Sequence, residues 1–209
     1  MIRREGIFYC LIGPAGSGKT TLTDMLLAGN SLPGLTLSIS ATTRTPREEE
    51  KNGEDYYFIS KDDFNNKIKN NEFFEWEEIH NNFYGTLKET LAAAIRSGAD
   101  ILFDIDIKGA FSIKRAYPQN TVIIFTAAPN LGDLKKRLIN RGTNTAEIEI
   151  RMQTAQKEYK LCLQFKRLID YILINKDLDD TFKNIKSIIS AERNKTSRVT
   201  ETDLEKLLS

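Results

Sequence analysis

Histidine is almost missing from this chain, cysteine occurs twice, and neither sign of charge is in excess. The one histidine, His80, excludes a histidine-rich metal site and argues against an imidazole general base. It reads as a partly exposed residue at the end of a strand. Cys10 and Cys162 are far apart in sequence and sit in apolar or helical contexts, which fits neither a zinc site nor a disulfide framework and suits a reducing compartment. With 30 Lys and Arg against 29 Asp and Glu, no overall positive field exists to attract nucleic acid or a membrane, so any basic chemistry is local. The apolar stretch near the start is too short for a signal peptide's hydrophobic region or a membrane span, and a cytoplasmic protein is expected. There is no internal repeat or low-complexity segment. The 209 residues, 40% of them hydrophobic, suffice for one sizeable core and are too few for two comfortable domains.

What is present is an alternation of short apolar runs with helical patterns, the signature of strand and crossover-helix units around a parallel sheet. Residues 6–12, 35–39, 101–105, 121–127 and 171–174 are the five strand candidates, and a helix is expected from Lys19 to Leu27, ending at Gly29. Between residues 40 and 90 the character changes to short, partly alternating stretches, with a small helix after Ser60 whose SKDD is similar to a capping box. This reads as an inserted, partly antiparallel flap. A long helix is expected over 146–168, with Ile148, Met152, Ala155, Tyr159 and Cys162 along one core-facing stripe. Ahead of it, Arg141 and Gly142 form a candidate lid, with Thr145 as the expected N-cap. The polar stretch 191–209 is expected to fray or form one short surface helix, with TETD (200–203) as another possible cap.

The strongest motif is GPAGSGKT, residues 13–20, which matches the Walker A spacing after an apolar strand and before a helix. Such a turn points consecutive backbone N–H groups and the positive helix end at one anion. Gly13, Pro14, Ala15, Gly16, Ser17, Gly18, Lys19, Thr20 and Thr21 are therefore the candidate ATP-phosphate cradle. Lys19 would reach the β and γ phosphates and Thr20 would coordinate Mg²⁺. DILFDID (100–106) supplies acids at a strand end, with Asp104 and Asp106 expected on one side of an extended chain, either able to hold the metal through water and Asp104 taken as the metal residue. A strand-end aspartate is also a common helix cap. The fold class is thus α/β, a P-loop NTPase-type parallel five-stranded sheet flanked by helices.

A second anion site is suggested by SATTRTPREEE, residues 40–50. Arg44 and Arg47 flank Pro46, which stiffens the loop, and Tyr56 adds a phenol, a set suited to the phosphate of a nucleoside monophosphate. The glutamates would hold the empty loop near neutrality. TTRTPREEEKNGEDYYFI (42–59) resembles the signature segment of guanylate kinases, which phosphorylate GMP from ATP. EFFEWEE, FYGT, FDIDIKG, LKKRLINRGT and ILIN follow in that family's order.

The resemblance implies a core (about 1–39, 91–140 and 147–190), a GMP-binding flap (about 40–90), a helical lid (about 141–146) and a polar tail (191–209). It assigns Ser40, Arg44, Arg47, Tyr56, Glu75, Tyr84, Thr86 and Asp106 to GMP. Within that set Glu75 reads the guanine N–H and amine, Ser40 and Thr86 donate to O6, and Asp106 accepts from the amine. Arg137 and Asn175 fall near the adenine of ATP, although TLKE at Thr86 also reads as a capping box and Asn175 as a helix cap. Lys19, Arg47, Arg141 and Arg151 are the implied catalytic cations, with Mg²⁺ as cofactor and dGMP as a further acceptor. The partners implied are nucleotides, not nucleic acid or membrane, with a monomer or weak homodimer as the expected state. The chain departs from the family's habit at Glu49, where glycine is usual, at Lys108, where glutamine is usual, in a shorter Arg141–Arg151 interval, and in NKDL at 175–178. Rival readings are a P-loop kinase for another acceptor and a non-catalytic interaction module of guanylate-kinase type.

Overall fold

The computed structural model describes residues 4–79, 81–199 and 205; His80 and the TETD cap lie outside them. Along the chain come β1 (Phe8–Ile12), α1 (Lys19–Leu27), β2 (Leu35–Leu37), β3 (Ala41–Thr42), β4 (Tyr57–Phe58), α2 (Lys61–Lys69), β5 (Phe73–Ile79) and β6 (Asn82–Leu87). There follow α3 (Lys88–Ser97), β7 (Asp100–Asp104), α4 (Ile107–Ala116), β8 (Thr121–Ala127), α5 (Leu131–Asn140), α6 (Thr145–Gln164), β9 (Tyr171–Ile174) and α7 (Leu178–Arg193). Among the described residues no helix is long and apolar enough to cross a membrane.

The five expected strands form one parallel sheet in the order β2-β7-β1-β8-β9. Every residue of β1 is buried because helices cover both faces of the sheet, which is why the strand reads as an unbroken apolar run. Phe8, Cys10 and Ile12 pack toward Leu91, Ala94 and Phe111, while Tyr9 and Leu11 pack toward Leu22, Leu26, Ile185 and Ile189. Burial pushes the Cys10 thiol's pKa up, so it behaves as a small core hydrophobe rather than a nucleophile.

A second sheet, ordered β4-β3-β6-β5, is antiparallel except between β3 and β4. Its own small core gathers Ala41, Phe64 and Phe73, with the Phe64 and Phe73 rings stacked at 4.2 Å. Ser60 caps α2 by accepting from the Asp63 N–H at 3.0 Å, as the SKDD pattern predicts. Several boundaries differ from expectation: β1 starts at Phe8, and β7 runs one residue earlier, at Asp100–Asp104. β2 stops at Leu37, and α6 gives way after Gln164 to a 3₁₀ turn at Lys166–Leu168. Asn144, not Thr145, caps α6: Thr145 is already the first helical residue, and the extended Asn144 before it accepts from Glu147 N–H, the third helical N–H, at 2.9 Å.

Arg4 and Arg193 are tied to the sheet through Asp100. This fully buried carboxylate accepts from Arg4 Nη1 and Nη2 at 2.7 and 2.8 Å, from Arg193 Nε at 2.7 Å and from the Ile7 N–H at 3.0 Å. A buried charge so completely paired is tolerated, but removing it strands two guanidinium groups. Asp100→Ala is expected to lower stability by roughly 3 kcal/mol, read as a drop in the urea midpoint; an unchanged midpoint would contradict this clasp.

Candidate active site

The turn from β1 into α1 is shaped by what a side chain would hit. Gly13 (φ 137°) and Gly18 (φ 101°) hold left-handed backbone, and a Cβ would collide with the Thr126 carbonyl oxygen at the first and with the Asn175 amide at the second. Thr126, on β8, is buried; its Oγ1 reaches the Ile12 carbonyl at 3.1 Å and lies 3.3 Å from Ser17 Oγ. Since the threonine proton goes to Ile12, the serine is the donor of the second bond. Asn175 closes the other side: Nδ2 donates to the Ser17 carbonyl at 2.8 Å and Oδ1 accepts from Thr181 at 3.1 Å. It is therefore not the cap of α7, a place taken by Asp177, and its buried side chain braces the loop.

Pro14 O accepts from Ser17 N at 3.0 Å inside the turn, and Thr21 follows half-buried in the first turn of α1. Lys19 donates to the Gly13 carbonyl of its own loop. Burial lowers the pKa of its ammonium; Asp104 and Glu158 oppose this and Arg141 adds to it. Thr20 Oγ1 is 3.4 Å from Asp104 Oδ2. Arg137 donates to the Asn175 carbonyl at 2.7 Å, and with Gly16, Gly18, Arg141 and Lys176 it lines a hollow of about 300 Å³.

A second cleft, of about 380 Å³, lies between the two sheets and is lined by Glu75, Thr86, Asp104 and Asp106 among others. Thr86 donates to Glu75 Oε1 at 2.6 Å across the β5–β6 pairing that sets the two residues opposite each other. The capping box read at TLKE does not form, because α3 begins at Lys88 without a side-chain cap. Asp104 and Asp106 do not share a strand face: β7 ends at Asp104, and Asp106 caps α4 by accepting from Gly109 N–H at 2.7 Å. Both nevertheless line the cleft, and Asp106 Oδ1 carries the cap.

Arg44 is held by Glu50 through paired bonds of 2.9 and 2.8 Å and stands 5.4 Å from the Tyr56 ring centre, with the Tyr84 ring 6.1 Å from Tyr56. Glu50 Oε2 also accepts from the Arg47 N–H at 2.7 Å, so one carboxylate organises both arginines. Arg47 is exposed, and Ser40 is half-buried with its carbonyl accepting from Tyr57 N–H at 2.9 Å. Arg141, just past α5, is exposed, while Arg151 on α6 donates to Glu147 one turn back at 2.9 Å.

Sequence reasoning missed Thr126 and Glu158. Thr126 sits in an apolar strand with no local signal. Burial raises the pKa of the Glu158 carboxyl; Lys19 opposes the rise and Asp106 adds to it. Only the tertiary packing of α6 shows it.

Comparison with known proteins places this geometry. A family model described as guanylate kinase matches residues 6–192. The chain is 41% identical to a guanylate kinase of Clostridioides difficile over 99% of this chain and 98% of that one, and 37% identical to one of Thermotoga maritima over 93% and 91%. A guanylate kinase crystal structure from Anaplasma phagocytophilum superposes with a TM-score of 0.67 at 29% identity, over 100% of this chain and 96% of that one.

The loop around Arg44 predicts its own titration. The bonds from Arg44, and then the Arg47 N–H, depress the Glu50 pKa to about 2. A depressed carboxylate stabilises the fold above its unfolded pKa and loses that contribution only as pH falls through the folded value. In NMR titration the Glu50 carboxyl is expected to protonate near pH 2 and to return to the ordinary glutamate range in Arg44→Gln. An ordinary midpoint in the unaltered protein would contradict the pairing.

Proposed function

The chain belongs to the guanylate kinase family, and from that premise we propose that it transfers the γ-phosphoryl group of ATP to GMP, giving ADP and GDP, with dGMP as a second acceptor. The observation that carries the reading is the position of Asp104. It lines the cleft that holds Glu75 and Thr86 and also stands 3.4 Å from Thr20 of the glycine-rich turn, so acceptor and donor sites share a wall.

In the acceptor site Glu75 takes the guanine N–H and amine together, and adenine offers no such pair. Because the Thr86 proton is engaged by Glu75, we give Thr86 the task of orienting that carboxylate and leave O6 to Ser40. Asp106 keeps Oδ2 for the amine. Arg44, Arg47, Tyr56 and Tyr84 hold the GMP phosphate, whose charge replaces that of Glu50 as partner of the arginines. On the donor side the turn from Gly13 to Thr20 cradles the phosphates, and Arg137 presents a planar face to adenine, with Asn175 bracing the loop behind it.

Thr20 Oγ1 at the start of α1 and Asp104 at the end of β7 are hard oxygen donors, a set that suits Mg²⁺ held chiefly by phosphate and water. That ion would supply charge neutralisation on the phosphates. GMP's phosphate oxygens are already anionic at neutral pH and need no strong base. Lys19, Arg47, Arg141 and Arg151 align the two nucleotides and offset the charge spread over the transferring group. We infer that flap (about 40–90) and lid (about 141–146) close over the nucleotides and exclude water. The protein acts in the cytoplasm on free nucleotides, as a monomer or weak homodimer.

A coupled assay of ADP release tests this. GMP is expected to support turnover while AMP, UMP and dTMP fall behind by on the order of 10⁴-fold in kcat/KM, since the wrong base would cover the Glu75 carboxylate without meeting its two acceptor oxygens. Lys19→Met and Arg141→Met should each lower kcat by roughly 10²- to 10³-fold with the circular dichroism spectrum intact. Equal use of AMP, or near-normal turnover in both variants, would contradict the assignment.

A further inference from the structure

We propose that Glu77 reads the ribose of the acceptor nucleotide: its carboxylate accepts from the sugar hydroxyls and makes GMP a better acceptor than dGMP. The inference rests on the assignment of GMP to the cleft that holds Glu75, and it concerns the sugar rather than the base or the phosphate.

Glu77 lines that cleft together with Glu75, Thr86, Asp104 and Asp106. The pairing of β5 with β6 fixes its place along the cleft. Glu75 lies opposite Thr86, and Glu77, two residues on, lies opposite Tyr84. Strand residues alternate between faces, so the two glutamates share one. Trp76 between them turns to the other, where its ring centre lies 5.9 Å from that of Phe83. The Glu75–Thr86 pair, bonded at 2.6 Å, marks the base end of the cleft. Tyr84, with its ring centre 6.1 Å from that of Tyr56, marks the phosphate end. Glu77 therefore stands about 7 Å along the strand from the residue assigned to the base, on the way to the phosphate. Base, sugar and phosphate follow one another in the same order in the nucleotide.

Chemistry then selects the ligand. The other three acids of the cleft have neighbours: Thr86 donates to Glu75, the Gly109 N–H donates to Asp106, and Thr20 stands 3.4 Å from Asp104. The Glu77 side chain is exposed and has no hydrogen-bond or ion-pair partner among the described residues. An ionised carboxylate can only accept, and a phosphate dianion repels it. Between base and phosphate GMP offers it one set of neutral donors, the 2′ and 3′ hydroxyls. Two adjacent hydroxyls can donate to the two oxygens of one carboxylate, and bonds to a charged acceptor are the stronger kind. dGMP lacks one of the two donors.

Steady-state turnover of GMP and dGMP by the unaltered protein, Glu77→Gln and Glu77→Ala tests this. In the unaltered protein kcat/KM is expected to favour GMP over dGMP roughly tenfold, the scale of one hydrogen bond to a charged acceptor. Glu77→Ala should narrow that preference to within about twofold, chiefly by raising KM for GMP, with the melting temperature unchanged. Glu77→Gln, which keeps one neutral acceptor oxygen, should fall between. Equal use of GMP and dGMP by the unaltered protein, or a preference that Glu77→Ala leaves as it was, would overturn the proposal. So would an equal fall with both nucleotides, the mark of a structural role, or an equal rise, the mark of a charge that only repels phosphate. Absence of GMP turnover in the unaltered protein would overturn it together with the assignment of the cleft, whereas normal GMP turnover beside an unmoved sugar preference overturns this inference alone.

Discussion

Between Ile12 and Lys19 the backbone turns through Gly13 and Gly18, where a side chain would collide with Thr126 and Asn175; the rest of the molecule is arranged to keep that turn in shape. β1 leads into it as the central strand of the sheet, buried along its whole length. Thr126 fixes the strand end and Ser17, and Asn175 fixes the Ser17 carbonyl from the opposite side. These braces come from β8 and from the end of β9, the strands to one side of β1, so the cradle inherits the rigidity of the parallel sheet. A loop alone would not hold consecutive N–H dipoles pointed at one anion.

The cations proposed to bind phosphate pose the opposite problem, since without phosphate they repel each other. The chain answers with internal carboxylates. Glu50 occupies Arg44 and Glu147 occupies Arg151. The near-equality of 30 basic and 29 acidic residues is thus also a local arrangement, in which acids stand in for substrate anions. Such pairs are exchangeable where they are exposed, because water and salt screen them and little stability is lost when a phosphate takes the acid's place.

Much of this was legible in the residues, and the gaps have physical causes. Strands covered on both faces must be apolar throughout, so β1 and β8 stand out as runs, and the glycine spacing of 13–20 has few uses other than an anion cradle. Local signals failed where tertiary pairing competed with them. Thr86 reads as a cap within TLKE, yet the β5–β6 register sets it against Glu75, and the strand wins. Asn144 and Thr145 are both good caps, and only the helix register chooses between them. Asn175 resembles a cap but serves the loop 158 positions earlier, a separation no periodicity reveals. Glu158, between Lys157 and Lys160, reads as part of a solvated face until α6 is packed against the core.

The central claim is that one continuous groove receives two polyanions end to end. Its most direct test is calorimetric titration with adenosine and guanosine joined through a chain of phosphates, compared with ATP and GMP separately. One such molecule per chain, bound at least a hundredfold more tightly than either nucleotide because the second contact becomes intramolecular, is the predicted result. Affinity no better than that of ATP alone would mean that the two sites do not meet, and would contradict the account.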